Sequence, residues 1–187
     1  WLQEKRKTTP KVVAFPDFQI KDALDATPPA LPPRRVRMKV TYTTLFGSLH
    51  KYWVNALLNG TLVQVLMLDE KSPYIERRNQ DLELPEGETL KRVRGAIAEI
   101  KSVLKDVEGA SKKANGVIGR IEVRAYDRIP YFPFYIIDDV AYTGYYVTQK
   151  SGYQTDYIQI SGLSSRYVAD VVTEFDRVWT TAKKITL

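Results

Sequence analysis

The sequence has 187 residues and a mass of 21.4 kDa, with 28 basic and 22 acidic side chains, one histidine and no cysteine. This composition fits one globular domain that holds its core without metal or disulfides, and it excludes collagen-like, coiled-coil and wholly disordered chains. The lack of cysteine excludes a disulfide framework, a zinc–thiolate site and a cysteine nucleophile. A lone histidine, His50, excludes a multi-histidine metal site, and we expect neither a metal nor a cofactor.

The positive charge is concentrated at the front of the chain. Residues 1–40 contain nine basic and four acidic side chains, a net charge of +5, which leaves +1 for the other 147 residues. Six of the ten prolines lie in the same segment, and their pairing makes residues 27–33 a stiff connector. We therefore predict a basic, proline-rich arm or linker over residues 1–33 and a single domain over residues 34–187.

The first residues resemble a membrane boundary. Trp1 precedes Lys5, Arg6 and Lys7, and transmembrane helices are anchored by an interfacial aromatic side chain next to cytoplasmic basic residues. A solvated linker is the alternative, since short basic runs are common. The sequence contains no apolar stretch of about 18 residues, so we expect any membrane span upstream of Trp1. The expected location is the cytoplasm or the cytosolic face of the inner membrane.

The first half of the domain alternates strands and helices. Residues 35–44 alternate apolar and polar side chains, which is the period of a β-strand. After a short turn, residues 49–58 have helical spacing, and Asn59 and Gly60 end that helix. Residues 61–68 are almost entirely apolar, which is typical of a central parallel strand covered on both faces.

The second half begins with a polar connection over residues 69–84 and a long amphipathic helix over residues 85–107. Four short strands are predicted next, at residues 118–126, 132–137, 140–148 and 156–161. A last helix ends near Lys184 and can be capped by Ser164 or Ser165. This order predicts an α/β fold in which helices flank a central mixed sheet.

Two strand-to-helix turns offer polar groups of the kind that bind ligands, because helix N-termini favour anions. Thr43, Thr44 and Ser48 surround the first turn, where hydroxyl and backbone N–H groups could hold a phosphate. Asp69 and Glu70 begin the second turn and could bind a metal or a hydroxyl group. An ordinary capped or solvated turn is the alternative, and the first turn is neither a P-loop nor a Gly-x-Gly-x-x-Gly turn.

His50 is the one side chain that would titrate near neutral pH without help from its surroundings. General-base catalysis by His50 would need a polar partner, and the sequence does not single one out. A surface or half-buried histidine is the alternative.

Residues 121–146 and their neighbours are rich in aromatic and basic side chains. The members of this group are Arg120, Arg124, Tyr126, Arg128, Tyr131, Phe132, Phe134, Tyr135, Tyr142, Tyr145 and Tyr146. Rings that stack on bases and cations that hold phosphates would suit a nucleotide or a single strand. Core packing is the alternative, because strands favour aromatic residues.

The order of elements and four segments resemble the phospholipase-D-like superfamily, especially its small bacterial domains attached to regulatory or membrane segments. The segments are residues 63–78 (VQVLMLDEKSPYIERR), the Val-Arg-x-Tyr-Asp strand end at 123–127, the Ile-Ile-Asp-Asp stretch at 136–139 followed by Gly-Tyr-Tyr at 144–146, and residues 174–179. The resemblance covers about residues 34–184 and implies a phospholipase-D-like sheet.

Catalytic members of that superfamily carry His-x-Lys-x4-Asp, in which the histidine forms a covalent phosphoryl intermediate and the lysine holds the phosphate. Counting back from Asp138 gives Tyr131 and Pro133 at these positions, and counting back from the next residue gives Phe132 and Phe134. Neither register restores the nucleophile. The resemblance therefore implies the scaffold without its phosphodiester hydrolysis.

We predict a non-catalytic sensor or regulatory domain, part of a membrane-anchored or multi-module bacterial protein of the defence type, that binds a phosphate-bearing ligand such as a nucleotide. The predicted binding crevice consists of Thr43, Thr44, Ser48, Asp69, Arg124, Asp138 and Tyr145. The resemblance also implies a homodimer. One alternative is a phosphodiester- or nucleotide-processing enzyme that uses His50 with Asp138 or Asp139. Another is a nucleic-acid-binding regulator whose basic arm contacts phosphates.

Overall fold

A computed structural model describes residues 11–15, 23–24, 32–111, 117–144, 157–161 and 166–187. Within these residues, eight strands form one mixed sheet, and five helices with defined ends accompany it. The strands are β1 Lys11–Phe15, β2 Arg35–Val40, β3 Leu62–Leu68, β4 Arg120–Tyr126, β5 Phe134–Ile137, β6 Val140–Gly144, β7 Tyr157–Ser161 and β8 Lys183–Lys184. The helices are α1 Leu45–Ser48, α2 His50–Leu58, α3 Tyr74–Asp81, α4 Glu88–Ser111 and α5 Arg166–Thr181.

The strand order across the sheet is β1-β7-β6-β5-β2-β3-β4-β8. The neighbours β2, β3 and β4 run parallel, whereas β5 pairs antiparallel with β2 and begins the antiparallel half that ends at β1. In β3, six of the seven residues are buried, as expected for a central strand covered on both faces. The predicted α/β fold with a central mixed sheet and flanking helices is confirmed.

One face of the sheet packs against α1, α2 and α4, and we call it the apolar face. Alternate residues of the parallel strands point to it, namely Val36, Met38, Val40, Val63, Val65, Met67, Ile121 and Val123. The helices contribute Phe46, Trp53, Leu57, Ile100 and Val103. Trp53 has no exposed surface, and its indole N–H donates a hydrogen bond to the Leu45 carbonyl at 3.0 Å.

The opposite face packs against α5, and we call it the charged face. The apolar stripe of α5 is buried, with Val168, Val171, Phe175, Val178 and Trp179 turned inward. Phe175 contacts Phe134 of β5, with 6.2 Å between the ring centres. The central strand β2 turns Arg37 and Lys39 toward this helix, where they meet Phe175 and Glu174. Cations therefore lie between the sheet and α5.

Helix α3 was not predicted, since it lies within residues 69–84, which have the composition of a polar connection. Its sequence YIERRNQD has one large apolar residue that is buried, Ile75, so no apolar stripe marks it. Buried polar contacts hold it instead: the Asn79 side chain donates to Glu76 and accepts from the Thr89 backbone N–H, both at 2.8 Å. The prediction of an irregular connection is therefore wrong at this point.

Described parts of the segment 1–33, which was predicted as an arm or linker, pack with the rest of the chain. β1 pairs antiparallel with β7, and Ala23 and Leu24 are buried in the core against the apolar face. The segment 1–33 therefore contributes a strand and core residues, and its other residues up to 31 lie outside the described part, as do Ser164, Ser165 and the predicted strand beyond Gly144. None of the described helices is long and apolar enough to cross a bilayer.

Candidate ligand-binding site

Three parallel strands end at one edge of the sheet, which we call the carboxyl-end edge. The Leu68 N–H donates to the Thr41 carbonyl and the Asp69 N–H donates to the Tyr126 carbonyl, so the strand ends are level. β5 starts at this edge because it is antiparallel, with Phe134 opposite Lys39. Ligands of open α/β sheets bind at the carboxyl ends of parallel strands, so this edge is the expected location of a binding site.

The turn after β2 places Thr43, Thr44 and Ser48 at this edge. The Thr43 hydroxyl accepts the Leu45 N–H at 3.2 Å, and the Thr44 carbonyl accepts the Ser48 N–H at 3.0 Å. The Glu99 carboxylate of α4 accepts the Gly47 N–H at 2.9 Å. These backbone donors therefore bond within the chain, which fits the alternative of an ordinary capped turn better than a phosphate cradle.

Asp69 also lies at the carboxyl-end edge, and its carboxylate accepts the Lys71 N–H at 2.9 Å in a local turn. Arg124 lies two residues before the end of β4 and is engaged by α5. Its guanidinium donates to the Trp179 carbonyl at 2.6 Å and stands 4.6 Å from the centre of the Trp179 ring. Within the described residues no group of three or more acidic or histidine side chains could hold a metal ion.

Asp138 lies at the opposite edge, because β5 runs antiparallel and ends where β2 begins. Its carboxylate accepts the backbone N–H groups of Arg35 at 2.8 Å and Arg34 at 3.3 Å. Its positive φ of 48° fits the turn into β6, a conformation that aspartate tolerates. The length of β2 separates Asp138 from Thr43, so the seven predicted residues do not form one crevice, and Tyr145 lies outside the described residues.

His50 has a partner that the sequence did not single out. Its Nε2 lies 2.8 Å from the Asp106 carboxylate of α4, on the helices that cover the apolar face. Asp138 is bonded to backbone N–H groups at the start of β2, and Asp139 follows it on the surface. The structure therefore pairs His50 with Asp106 and not with the predicted partners Asp138 or Asp139.

The most unusual group near the carboxyl-end edge is the ammonium of Lys39. Its side chain is 6% exposed, and Nζ lies 5.6 Å from the ring centres of Tyr126, Phe132 and Phe134. We call these three rings the aromatic box. Glu174 of α5 forms an ion pair with Lys39. Its Oε1 atom lies 3.8 Å from Nζ, which is beyond hydrogen-bond distance. Aromatic faces attract a desolvated cation, so the box stabilises the ammonium in place of water.

The electrostatic surroundings of Lys39 are positive. Burial lowers the pKa of the Lys39 ammonium, Glu174 offsets part of this effect, and the positive charges of Arg128 and Arg177 lower it further. Glu174 is itself bonded to Arg177, with contacts of 2.6 and 3.0 Å. Lys39 and Arg177 therefore share the Glu174 carboxylate, and Arg128 adds a third positive charge to the surroundings of the ammonium, so an anion would be favoured there.

The positions that would carry the catalytic histidine and lysine border this group. Tyr131 is 69% exposed, whereas the Pro133 carbonyl accepts the Gly144 N–H at 3.1 Å. In the other register, Phe132 and Phe134 belong to the aromatic box. Neither pair contains the histidine or the lysine of the motif. The Lys39 ammonium, from the adjacent strand β2, lies against the rings of the box instead.

A cleft of about 440 Å³ opens between α3 and the loop that joins β4 to β5. It is lined by Tyr74, Arg77, Arg78, Asp81, Ile129 and Pro130. Arg77 and Asp81 form an ion pair at 3.2 Å, while Arg78 is only 4% exposed. The volume falls within the roughly 300–1,000 Å³ that small-ligand pockets occupy.

In the sequence, Lys39 lies on the polar side of an alternating strand, so it was not predicted as a site residue. The sequence indicates the burial of Lys39 only indirectly. Two amphipathic helices, α4 and α5, each need a sheet face to bury their stripes, so both faces of β2 must be covered. The sequence does not indicate the cleft at all, because helix α3, which forms one of its walls, was not predicted.

Comparison with solved structures agrees with this architecture. Nuc, a phospholipase D family member from Salmonella typhimurium, is 12% identical, with a TM-score of 0.56 over 96% of this chain and 99% of that chain. Phosphatidylserine synthase from Haemophilus influenzae Rd KW20 is 11% identical, with a TM-score of 0.53 over 81% of this chain and 34% of that chain. No protein-family model and no curated protein sequence matches. The chain has a phospholipase-D-like fold.

Proposed function

We propose that this chain is a non-catalytic binding domain that recognises a phosphate-bearing ligand at the carboxyl-end edge of its sheet and acts as a sensor or regulatory module. One observation carries the proposal: the buried ammonium of Lys39 lies in the aromatic box and shares the Glu174 carboxylate with Arg177, while Arg128 adds a further positive charge. A phosphate group accepts charge-assisted hydrogen bonds from such cations.

The chemistry of the surrounding positions supports binding without turnover. The covalent phosphoryl transfer of the superfamily uses a histidine nucleophile and a phosphate-holding lysine, and Tyr131 and Pro133 stand at those two positions. His50 belongs to a different group of residues, paired with Asp106. The role as a membrane-anchored or multi-module homodimer is part of the same proposal and rests on the resemblance of the sequence.

Thermal unfolding with inorganic phosphate and with mono-, di- and cyclic nucleotides tests the proposal. A ligand at 100 times its Kd stabilises by about 2.7 kcal/mol, which raises Tm by about 5–10 °C for a domain of this size. We expect such a shift for the wild type and its loss in Lys39→Met. The matched control is Arg37→Met, which removes a cation from the same strand and face and should keep the shift.

Two results would overturn the proposal. One is the absence of a shift with every phosphorylated probe. The other is steady hydrolysis of bis-p-nitrophenyl phosphate that disappears in a folded His50→Ala variant, because that outcome assigns the chain to the enzymes.

A further inference from the structure

The Glu174 carboxylate of α5 contacts two cations at unequal distances. Its Oε2 atom accepts hydrogen bonds from the Arg177 guanidinium at 2.6 and 3.0 Å, whereas its Oε1 atom lies 3.8 Å from Nζ of Lys39. The Glu174 side chain is 30% exposed and the Lys39 side chain is 6% exposed, so solvent reaches the carboxylate more readily than the ammonium. Lys39 therefore has a counterion that lies near it but is hydrogen-bonded to Arg177.

An anion that bonds the ammonium directly would improve on this arrangement. The ammonium carries three N–H donors, and a phosphate oxygen accepts charge-assisted hydrogen bonds from such donors at about 2.7–2.9 Å. Among the described residues, the charges that act most on the ammonium are those of Glu174, Arg128 and Arg177. With the charge of Lys39 itself, two positive charges are therefore in excess around Nζ.

The charge of a ligand decides whether it can replace the carboxylate. A phosphate diester carries a single negative charge, as Glu174 does, so the exchange of one for the other gains little. A terminal phosphate monoester carries a charge of about −1.5 to −2 at pH 7. This larger charge matches the excess of positive charge around Lys39 and favours the monoester over both the diester and the carboxylate.

We propose that Glu174 occupies the place of the ligand's phosphate at Lys39 in the free chain, and that the ligand which displaces it carries a terminal phosphate monoester. The inference rests on the proposed function, in which Lys39 binds the phosphate, and it names the ligand class and the residue that regulates the site. The exchange breaks only the contact at 3.8 Å, because the carboxylate keeps its hydrogen bonds to Arg177.

Isothermal titration of the wild-type chain with phenyl phosphate and with methyl phenyl phosphate at neutral pH tests the ligand class. The two probes share the phenyl ring, and the added methyl group turns the monoester into a diester. We expect the monoester to bind about tenfold or more tightly, because it carries the larger negative charge. Equal affinity, or tighter binding of the diester, would overturn the inference.

Two substitutions on α5 test the role of Glu174. Glu174→Gln removes the competing charge and keeps the size of the side chain, so the affinity for phenyl phosphate should rise about tenfold or more. The matched control is Asp176→Asn, since Asp176 pairs with Arg37 at 4.0 Å. Its carboxylate is exposed and screened, so the affinity should stay within about twofold. An unchanged or lowered affinity in Glu174→Gln would overturn the inference, since a carboxylate that helps to position the ligand gives that result.

Circular dichroism establishes that each variant retains the fold. If Glu174→Gln does not fold, Glu174→Asp replaces it, because the shorter side chain keeps the charge but moves it away from Nζ. The affinity for phenyl phosphate should then rise by a smaller factor, and the absence of any rise would overturn the inference.

The two proposals fail in different ways. If Lys39→Met abolishes binding while the wild type binds the monoester and the diester equally, the proposed function stands and the inference about Glu174 is wrong. If neither the wild type nor Glu174→Gln binds any phosphorylated probe, both proposals are wrong.

Discussion

The two faces of the central sheet differ in what they bury. On the apolar face, β2 presents Val36, Met38 and Val40 to helices that carry Phe46 and Trp53. On the charged face, the same strand presents Arg37 and Lys39, and α5 covers them with Phe175 and Glu174. One strand therefore contributes both to an apolar core and to a layer of desolvated cations.

This difference separates the part of the molecule that maintains the fold from the part suited to chemistry. Apolar side chains gain free energy on burial, whereas desolvation opposes the burial of a charge unless partners compensate. The Nε and Nη1 atoms of Arg37 are buried and make no hydrogen bond, and the nearest Asp176 oxygen is 4.0 Å from Nη1. Sites that depart from simple packing in this way are where functional residues concentrate.

The largest expected effect lies on the apolar face. Trp53→Ala removes a fully buried ring that contacts Phe46 at 5.0 Å between centres, and we expect it to lower the free energy of unfolding by about 3–5 kcal/mol. Urea denaturation followed by circular dichroism measures the change. The exposed Tyr167→Ala is the control and should change stability by less than about 0.5 kcal/mol. A loss below about 1 kcal/mol for Trp53→Ala would mean that this face is not the main core.

On the charged face, the loss of the Glu174 carboxylate should lower the free energy of unfolding more than the loss of the Lys39 ammonium. We expect Glu174→Gln to lower stability by about 2 kcal/mol, less than the roughly 3–5 kcal/mol for a fully buried pair, because 30% of the Glu174 side chain is exposed. Lys39→Met fills the aromatic box with an apolar chain, so stability should stay within about 1 kcal/mol or rise.

The double variant completes this test. In Lys39→Met with Glu174→Gln, the cost of the second change should fall, because no buried ammonium remains to lose its counterion. Urea unfolding of all four proteins gives the coupling free energy. Full additivity of the two single effects would show that the ammonium and the carboxylate do not interact.

The pH dependence of stability follows from the lowered pKa of Lys39. Burial disfavours its charged form in the folded state, so between the folded pKa and the ordinary value of 10.5 the unfolded chain binds more protons. The contribution of Lys39 to the free energy of unfolding therefore rises with pH between its pKa in the folded state and 10.5. Tyr142 opposes the rise above its ordinary value of 10.0, because burial raises its pKa and the folded state keeps the proton.

A comparison of variants isolates the lysine. The free energy of unfolding of the wild type minus that of Lys39→Met should increase as pH rises from 8 toward 10.5, since Tyr142 contributes equally to both proteins. Urea unfolding at a series of pH values measures this difference. A flat difference would mean that the folded and unfolded chains hold the Lys39 proton equally well.

Much of the fold was predictable from the sequence because its strands and long helices have clear periods. The continuous apolar run of β3 and the stripes of α4 and α5 each required burial, and burial required a two-sided sheet. The site was less predictable, because its residues have ambiguous local patterns. Lys39 looks like a solvated strand residue until α5 is placed over it, and α3 has no apolar stripe. The prediction that Asp138 lies near Thr43 is wrong because β5 runs antiparallel to β2, and the sequence pattern does not give the direction of β5.

A smaller effect concerns the edge that fixes β2 in register. Asp138→Ala removes a carboxylate that accepts two backbone N–H groups and places alanine at a positive φ, so we expect a loss of about 1–2 kcal/mol. Asp138→Asn should lose less, since asparagine tolerates this conformation and keeps one oxygen. Thermal unfolding measures both. Equal losses would assign the effect to charge and not to the turn.

The smallest effect should come from His50, which distinguishes the helices over the apolar face from the site on the charged side. Its pair with Asp106 at 2.8 Å is partly exposed, with 30% and 59% of the two side chains accessible, so His50→Ala should cost about 0–1 kcal/mol. The thermal shift produced by phosphorylated probes should be unchanged, because Lys39 and the aromatic box are intact. Asp106→Asn is the matched control and should behave alike. If His50→Ala abolished the ligand shift while Asp106→Asn kept it, the ligand would contact the histidine, and the carboxyl-end edge would lose its place as the binding site.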